Sequence, residues 1–229
     1  WRNHGTRGIF GGGYSAPALI AAADFVTIAT TGNAAAFGNL SVSRRHLTAF
    51  SSFNRNFFAG GATPSMVNHI DYFTTSSQGN ASDFGDLTNA RKAIGASSNS
   101  TRGVVFGGTN PSNVNIIDYI TMASIGNAID FGDLTTVANG ATGASSPTRG
   151  VRLGGQPVSA TIDFFEIATT GDAADFGDLA VSVGDASSFD SSTRGVAVGG
   201  YSAPANTNTI QYIPIASQGN AVDYGDATN

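Results

Sequence analysis

Eight of the sixteen acidic residues in this 229-residue chain come as close pairs in Asp-Phe-Gly-Asp or Asp-Tyr-Gly-Asp: Asp83 and Asp86, Asp130 and Asp133, Asp175 and Asp178, Asp223 and Asp226. Paired carboxylates are the raw material of acid–base chemistry on a glycosidic bond. A second set of charges repeats beside them. Thr-Arg-Gly carries Arg7, Arg102, Arg149 and Arg194, and the degenerate Asn54-Arg55-Asn56 carries Arg55. A catalytic centre needs one such constellation, so the repetition points to architecture. The expectation is a structural ring of Arg–carboxylate hydrogen bonds between strands or blades, built on the planar guanidinium fork. Such pairs set register more than they add stability, because burying charge is costly.

Other chemistries find little support. His4, His46 and His69 lie far apart with no metal-ligand spacing. With no cysteine there is no disulfide, thiolate nucleophile or Cys-ligated zinc. The net charge of −5 provides no electrostatic footprint for nucleic acid or an anionic membrane. No apolar run reaches the roughly 18 residues that a spanning helix requires. The expectation is a protein that is not an enzyme, with no metal, no cofactor, no nucleic-acid partner and no membrane insertion.

The elements that carry these charges follow from their period. Successive Thr-Arg-Gly copies start 48, 47, 47 and 45 residues apart, a spacing typical of β-propeller blades. Within one repeat, four β-competent runs follow one another, as in Lys92–Ser98, Thr101–Gly108, Asn115–Ser124 and Asn127–Leu134. They are named strands A, B, C and D in chain order. Gly-Gly pairs end strand B, where backbone passes close to a neighbour or takes positive φ. Gly-Asn turns join C to D. The fold expected is all-β, a five-bladed propeller with about four antiparallel strands per blade. It forms one domain over 1–229, with blades near 1–40, 41–87, 88–134, 135–179 and 180–229. Blade one has only Trp1–Gly5 for strand A. Small-residue runs such as Ala93–Ser98 suit strand A to the innermost position. A rival reading is five blades of a larger ring or longer array. The opening Trp1 suggests a piece excised or processed from a longer polypeptide.

Thr-Arg-Gly-Val-Val-Phe-Gly-Gly, then Ile-Asp-Tyr-Ile-Thr, then Gly-Asn-Ala-Ile-Asp-Phe-Gly-Asp-Leu resembles the kelch-like repeats of marine bacteriophage virion proteins of the tail-fibre type. The resemblance spans essentially the whole chain, although the Trp usual after strand C in kelch repeats is missing. It implies a propeller on the surface of a virus particle. Its partners would be a host-surface glycan or protein, or neighbouring virion proteins in a purely structural docking role. A glycoside hydrolase is the weakest of the three readings.

Antiparallel strands place the B–C loops and D–A links on one face, and the A–B and C–D turns on the other. The second set hardly varies between repeats, whereas the first differs freely, and variable loops on a rigid scaffold are where recognition sits. The binding candidates on that face are Tyr14, Arg44, Arg45, His46, His69, Arg91, Lys92 and Tyr201. Aromatic rings beside hydrogen-bonding side chains suit sugar or protein epitopes.

Overall fold

Each repeat folds into one antiparallel sheet because its four runs are short, β-rich and separated by turn residues whose side chains close the turns. At the A–B turn, Asn99 Oδ1 accepts from the Thr101 and Arg102 amides, and Ser146 and Ser191 accept from Arg149 and Arg194 in the same way. That is the physical content of the recurrent Ser/Asn before Thr-Arg-Gly.

The computed structural model describes residues 6–228. It is a five-bladed β-propeller with no helix among them. Blade two is Thr48–Ser51, Arg55–Ala59, His69–Thr74 and Ser82–Asp86. Blade three is Gly95–Ser98, Arg102–Phe106, Ile116–Thr121 and Ile129–Asp133. Blade four is Thr142–Ser145, Arg149–Leu153, Ser159–Glu166 and Ala174–Val183. Blade five is Ser187–Asp190, Arg194–Val198, Thr209–Pro214 and Val222–Asp226. In all four the sheet order is A-B-C-D. Blade one shows strands B, C and D as Arg7–Gly11, Ala22–Thr27 and Ala35–Asn39. The strand A expected over Trp1–Gly5, and His4 with it, lie outside the described residues.

The A strands are innermost and line an axial cavity of about 690 Å³. Serine hydroxyls brace them: Ser97 donates to the Ala144 carbonyl, Ser98 to Ser51, Ser145 to Ser98 and Ser188 to Gly143. Small residues are needed here because strands converge on the axis.

The core is not one mass but four layers, one in each seam between consecutive blades. Strand D supplies a buried ring to each: Phe37, Phe84, Phe131 and Phe176. A register shift between the C-strand residue before the repeat Asp and that Asp marks a bulge in strand D, with the following glycine at positive φ in Gly85, Gly132 and Gly177. That glycine lies against the C–D turn of the next blade, Gly85 on Gly126 and Gly177 on Gly219. Backbone bonds then stitch the rims, Gly126 N–H to the Phe84 carbonyl and Ala128 N–H to Asp86. A turn side chain adds another bond, with Asn127 Oδ1 accepting from the Asp86 amide at 3.1 Å.

The repeat arginines do not form the expected carboxylate ring. Arg7, Arg55, Arg102 and Arg149 each cross a seam to a backbone carbonyl of the next blade: Thr75, Met122, Ile167 and Ile215, at 3.2, 2.8, 3.0 and 3.0 Å. Each guanidinium also stacks on the strand C aromatic of its own blade, as Arg102 does on Tyr119 at 4.6 Å. Among the described residues, only Arg149 of this set pairs with a carboxylate, that of Glu166. The reason is geometric. Strand C separates strand B from strand D, so Asp83, Asp86, Asp130, Asp133, Asp175, Asp178, Asp223 and Asp226 sit on the outer rim, where all but the half-buried Asp86 are exposed. There Asp83 and Asp223 accept from the amides of Gly85 and Gly225.

Arg102→Ala is therefore expected to cost about 1–2 kcal/mol, from one charge-assisted bond and one cation–π contact at a partly exposed site. Arg194, whose described partner is the Tyr212 ring alone, should lose less on the same change. Denaturant titration of both variants checks the difference.

Candidate functional site

The fully buried arginine–carboxylate pairs form at the strand C aspartates. Arg44 meets Asp71 at 2.8 Å, Arg91 meets Asp118 at 3.0 Å and Arg152 meets Asp163 at 3.1 Å, all fully buried. Arg44 and Arg91 come from D–A links but are 0% exposed, so, contrary to expectation, they are not part of the solvent-facing surface. They lie beneath the variable face and cannot touch a ligand. Burial pushes the Asp118 carboxyl up, against the pull of Arg91, and pushes the guanidiniums of Arg91 and Arg152 down. The pairs pin each link to the next blade through Thr88 and Phe58.

The carbonyls of the same links explain the Gly-Gly pairs. Gly12 and Gly60 adopt φ of +73° and +61°, and a Cβ there would stand 2.8 and 2.7 Å from the Arg44 and Arg91 carbonyls. The second glycine donates its amide to those carbonyls, Gly13 to Arg44 and Gly61 to Arg91.

Beyond the Gly-Gly of blades two to five, the B–C loop pairs with the preceding link. Isolated bridges join Arg45 to Ala62, Lys92 to Thr109, Asn139 to Gln156 and Gly184 to Tyr201. In blades one, three and five the loop is a small hairpin: Tyr14–Ser15 with Ala18–Leu19, Thr109–Asn110 with Ser112–Asn113, and Tyr201–Ser202 with Ala205–Asn206. The variable segments are thus welded into one surface rather than hanging as separate loops.

At its centre is the cavity mouth. His46, Ala93, Gly140 and Asp185 occupy equivalent positions, each with φ between +53° and +56°. Ala93 N–H donates to His46, Gly140 to Ala93 and Asp185 to Gly140, at 2.8–2.9 Å. This is a chain of amides running around the axis. His46 is held below the usual imidazole range by burial first, then by the Arg45 and Lys92 charges.

The structure brings several candidates together. The Arg45 guanidinium lies 5.2 Å from the Tyr14 ring centroid, and Arg45, His46 and Lys92 form a basic arc beside the mouth. Tyr201 stands next to Asp185 through its bridge to Gly184. His69 is separate, at the outer edge, with Nδ1 3.5 Å from Asp86. Sequence reasoning missed the amide network on the opposite side. Asn139 donates to Asn113, Asn113 to the Gln156 carbonyl, and Gln156 to Asp185. These residues lay in the variable loops, but only the folded seam shows that they bond to one another. Among the described residues no group of three His, Asp or Glu could hold a metal ion.

No protein-family model matches the sequence, and no curated protein matches it.

Proposed function

We propose that this propeller is a non-catalytic recognition module of a virus particle, reading a host-surface glycan or protein through the face formed by its B–C loops and D–A links. The observation that carries the reading is the joining of the B–C loops of blades two to five to the links beside them, around the cavity mouth. That surface offers an exposed aromatic braced by a cation, Tyr14 on Arg45, and a run of side-chain amides. Rings that stack on sugar or protein faces and amides that satisfy hydroxyls are the chemistry such ligands need, at low entropic cost. The particle context rests on the resemblance of the repeats to tail-fibre-type virion proteins. The alternative assignment, a docking module for neighbouring virion proteins, uses the same surface.

The test is a glycan array and host-envelope binding assay with the wild type, Tyr14→Ala and Gln156→Ala. Expected is a loss of binding of tenfold or more, about 1.4 kcal/mol, with the melting temperature unchanged. Binding that survives both changes overturns the placement of the site. Capture of a virion protein instead of a host component favours docking, and turnover of a glycoside panel revives the hydrolase.

A further inference from the structure

Two cations of the variable face stand in slots that do not need them. Arg45, Lys92, Asn139 and Gly184 occupy one backbone position in successive links, each bridged to the B–C loop beside it. Asn139 and Gly184 make that bridge as Arg45 and Lys92 do, so the fold does not require charge there. The other described cations are committed elsewhere. Arg7, Arg55, Arg102 and Arg149 reach carbonyls across seams, and Arg194 lies on the Tyr212 ring. Arg44, Arg91 and Arg152 hold buried aspartates. Among the described residues, Arg45 and Lys92 form no ion pair with a carboxylate.

Both cations are set in place by a buried neighbour. Arg44 on Asp71 and Arg91 on Asp118 anchor the two links one residue earlier. The Ala93 amide then donates to the His46 carbonyl at 2.9 Å, which sets Arg45-His46 of one link against Lys92-Ala93 of the next. After burial, the Arg45 and Lys92 charges are what hold the His46 imidazole below its usual range, so the three side chains share one field. Tyr14 adjoins them, 53% exposed, its ring centroid 5.2 Å from the Arg45 guanidinium. Asp185 fills the position of His46 in another link. The rim of the mouth is therefore polarised.

We infer that the arc of Arg45, His46 and Lys92 binds the anionic group of an acidic saccharide, a carboxylated or sulfated sugar whose ring packs on Tyr14. The inference rests on the reading of this face as a recognition surface and gives that surface its ligand class. Like charges held on adjoining links repel, and an anion beside both relieves the repulsion. The guanidinium offers a planar fork for a carboxylate or sulfate, and the ammonium a point charge. An aromatic ring next to that fork suits an anion carried on a sugar ring. His46, neutral at pH 7, has one ring nitrogen to donate to a hydroxyl and one to accept. An acidic peptide fits less well. The main-chain N–H and C=O of Arg45 are spent on Ala62, and those of Lys92 on Thr109, which leaves no open edge there for an added strand.

The test is calorimetric titration of the full chain with matched probes: oligogalacturonate against its methyl ester, sialyllactose against lactose, and a sulfated against an unsulfated galactan oligosaccharide. At least one acidic probe is expected to bind about tenfold or more tighter than its neutral match, with the margin shrinking as salt shortens the Debye length. The double variant Arg45→Gln/Lys92→Gln should lose that margin at an unchanged melting temperature, as the Asn and Gly in the equivalent slots indicate. Arg194→Gln, which removes a cation from the start of a B strand, should leave the margin intact. The carboxylated and sulfated pairs separate the two kinds of anion. No acidic preference in any pair overturns the inference, and so does a preference that survives in the double variant. Neutral probes bound with equal strength, and lost in Tyr14→Ala, would leave the recognition surface standing without its anionic ligand. Polyglutamate bound more tightly than every acidic sugar overturns the saccharide as the ligand. Failure of every probe and of host envelope to bind would end both readings.

Discussion

Asp118→Ala is expected to destabilise the propeller by about 3–5 kcal/mol, the usual cost of leaving one charge of a buried pair without its partner. Asp118 is fully buried, and its carboxylate accepts three bonds, from Arg91 at 3.0 Å and from the Thr88 amide and hydroxyl at 3.2 and 2.7 Å. Its removal strands an arginine whose Nε and Nη1 already lack partners. At this chain length the loss corresponds to a melting temperature lower by about 10 °C.

The repeats themselves supply the rescue. In blade four the link position of Arg91 is Ala138, and the guanidinium comes instead from Arg152 on strand B, where blade three has Val105. At the seam between blades four and five the charges are gone: Val183 takes the link position, Ala197 the strand B position, and Gln211 replaces the aspartate. The Gln211 amide accepts from Val181 N–H at 3.1 Å and donates to its carbonyl at 3.0 Å. Its extra methylene lets it reach one residue farther along the link than Asp118 does. The double change Arg91→Val with Asp118→Gln copies that solution. It is expected to come within about 1 kcal/mol of the parent in denaturant titration, since replacing a whole buried pair is often neutral. A double variant as weak as the single one would show that the pair contributes more than mutual compensation.

The second large effect belongs to the strand D glycines. Gly85→Ala is expected to cost about 3 kcal/mol, combining positive-φ strain of about 1–2 kcal/mol with displacement of a packed neighbouring turn. A Cβ there would stand 2.5 Å from the Gly126 carbonyl oxygen, at a φ of +143°. Gly225→Ala carries the strain, with φ at +131°, and among the described residues no collision. It should cost only about 1 kcal/mol. Equal losses at the two sites in thermal melts would mean that contact with the neighbouring turn does not set the cost.

Within one repeat, the sequence by itself determined a great deal. Five copies at a nearly constant period, each with four β-rich runs and the right turn residues, specify five sheets and their strand order. Small serine-rich runs specify the innermost strand. These inferences rest on local signals, because a strand pairs with its neighbour in the chain through a turn a few residues long.

The partners across seams were decided by the tertiary structure. Arg55 bonds to Met122, 67 residues away, and nothing in a repeat says that its arginine will find a carbonyl rather than the nearer aspartates of strand D. The same distance concealed that Arg44 and Arg91, polar and set among variable link residues, turn inward to Asp71 and Asp118. Sequence repetition encodes the two halves of an interface, whereas their mating depends on the angle at which successive blades stack.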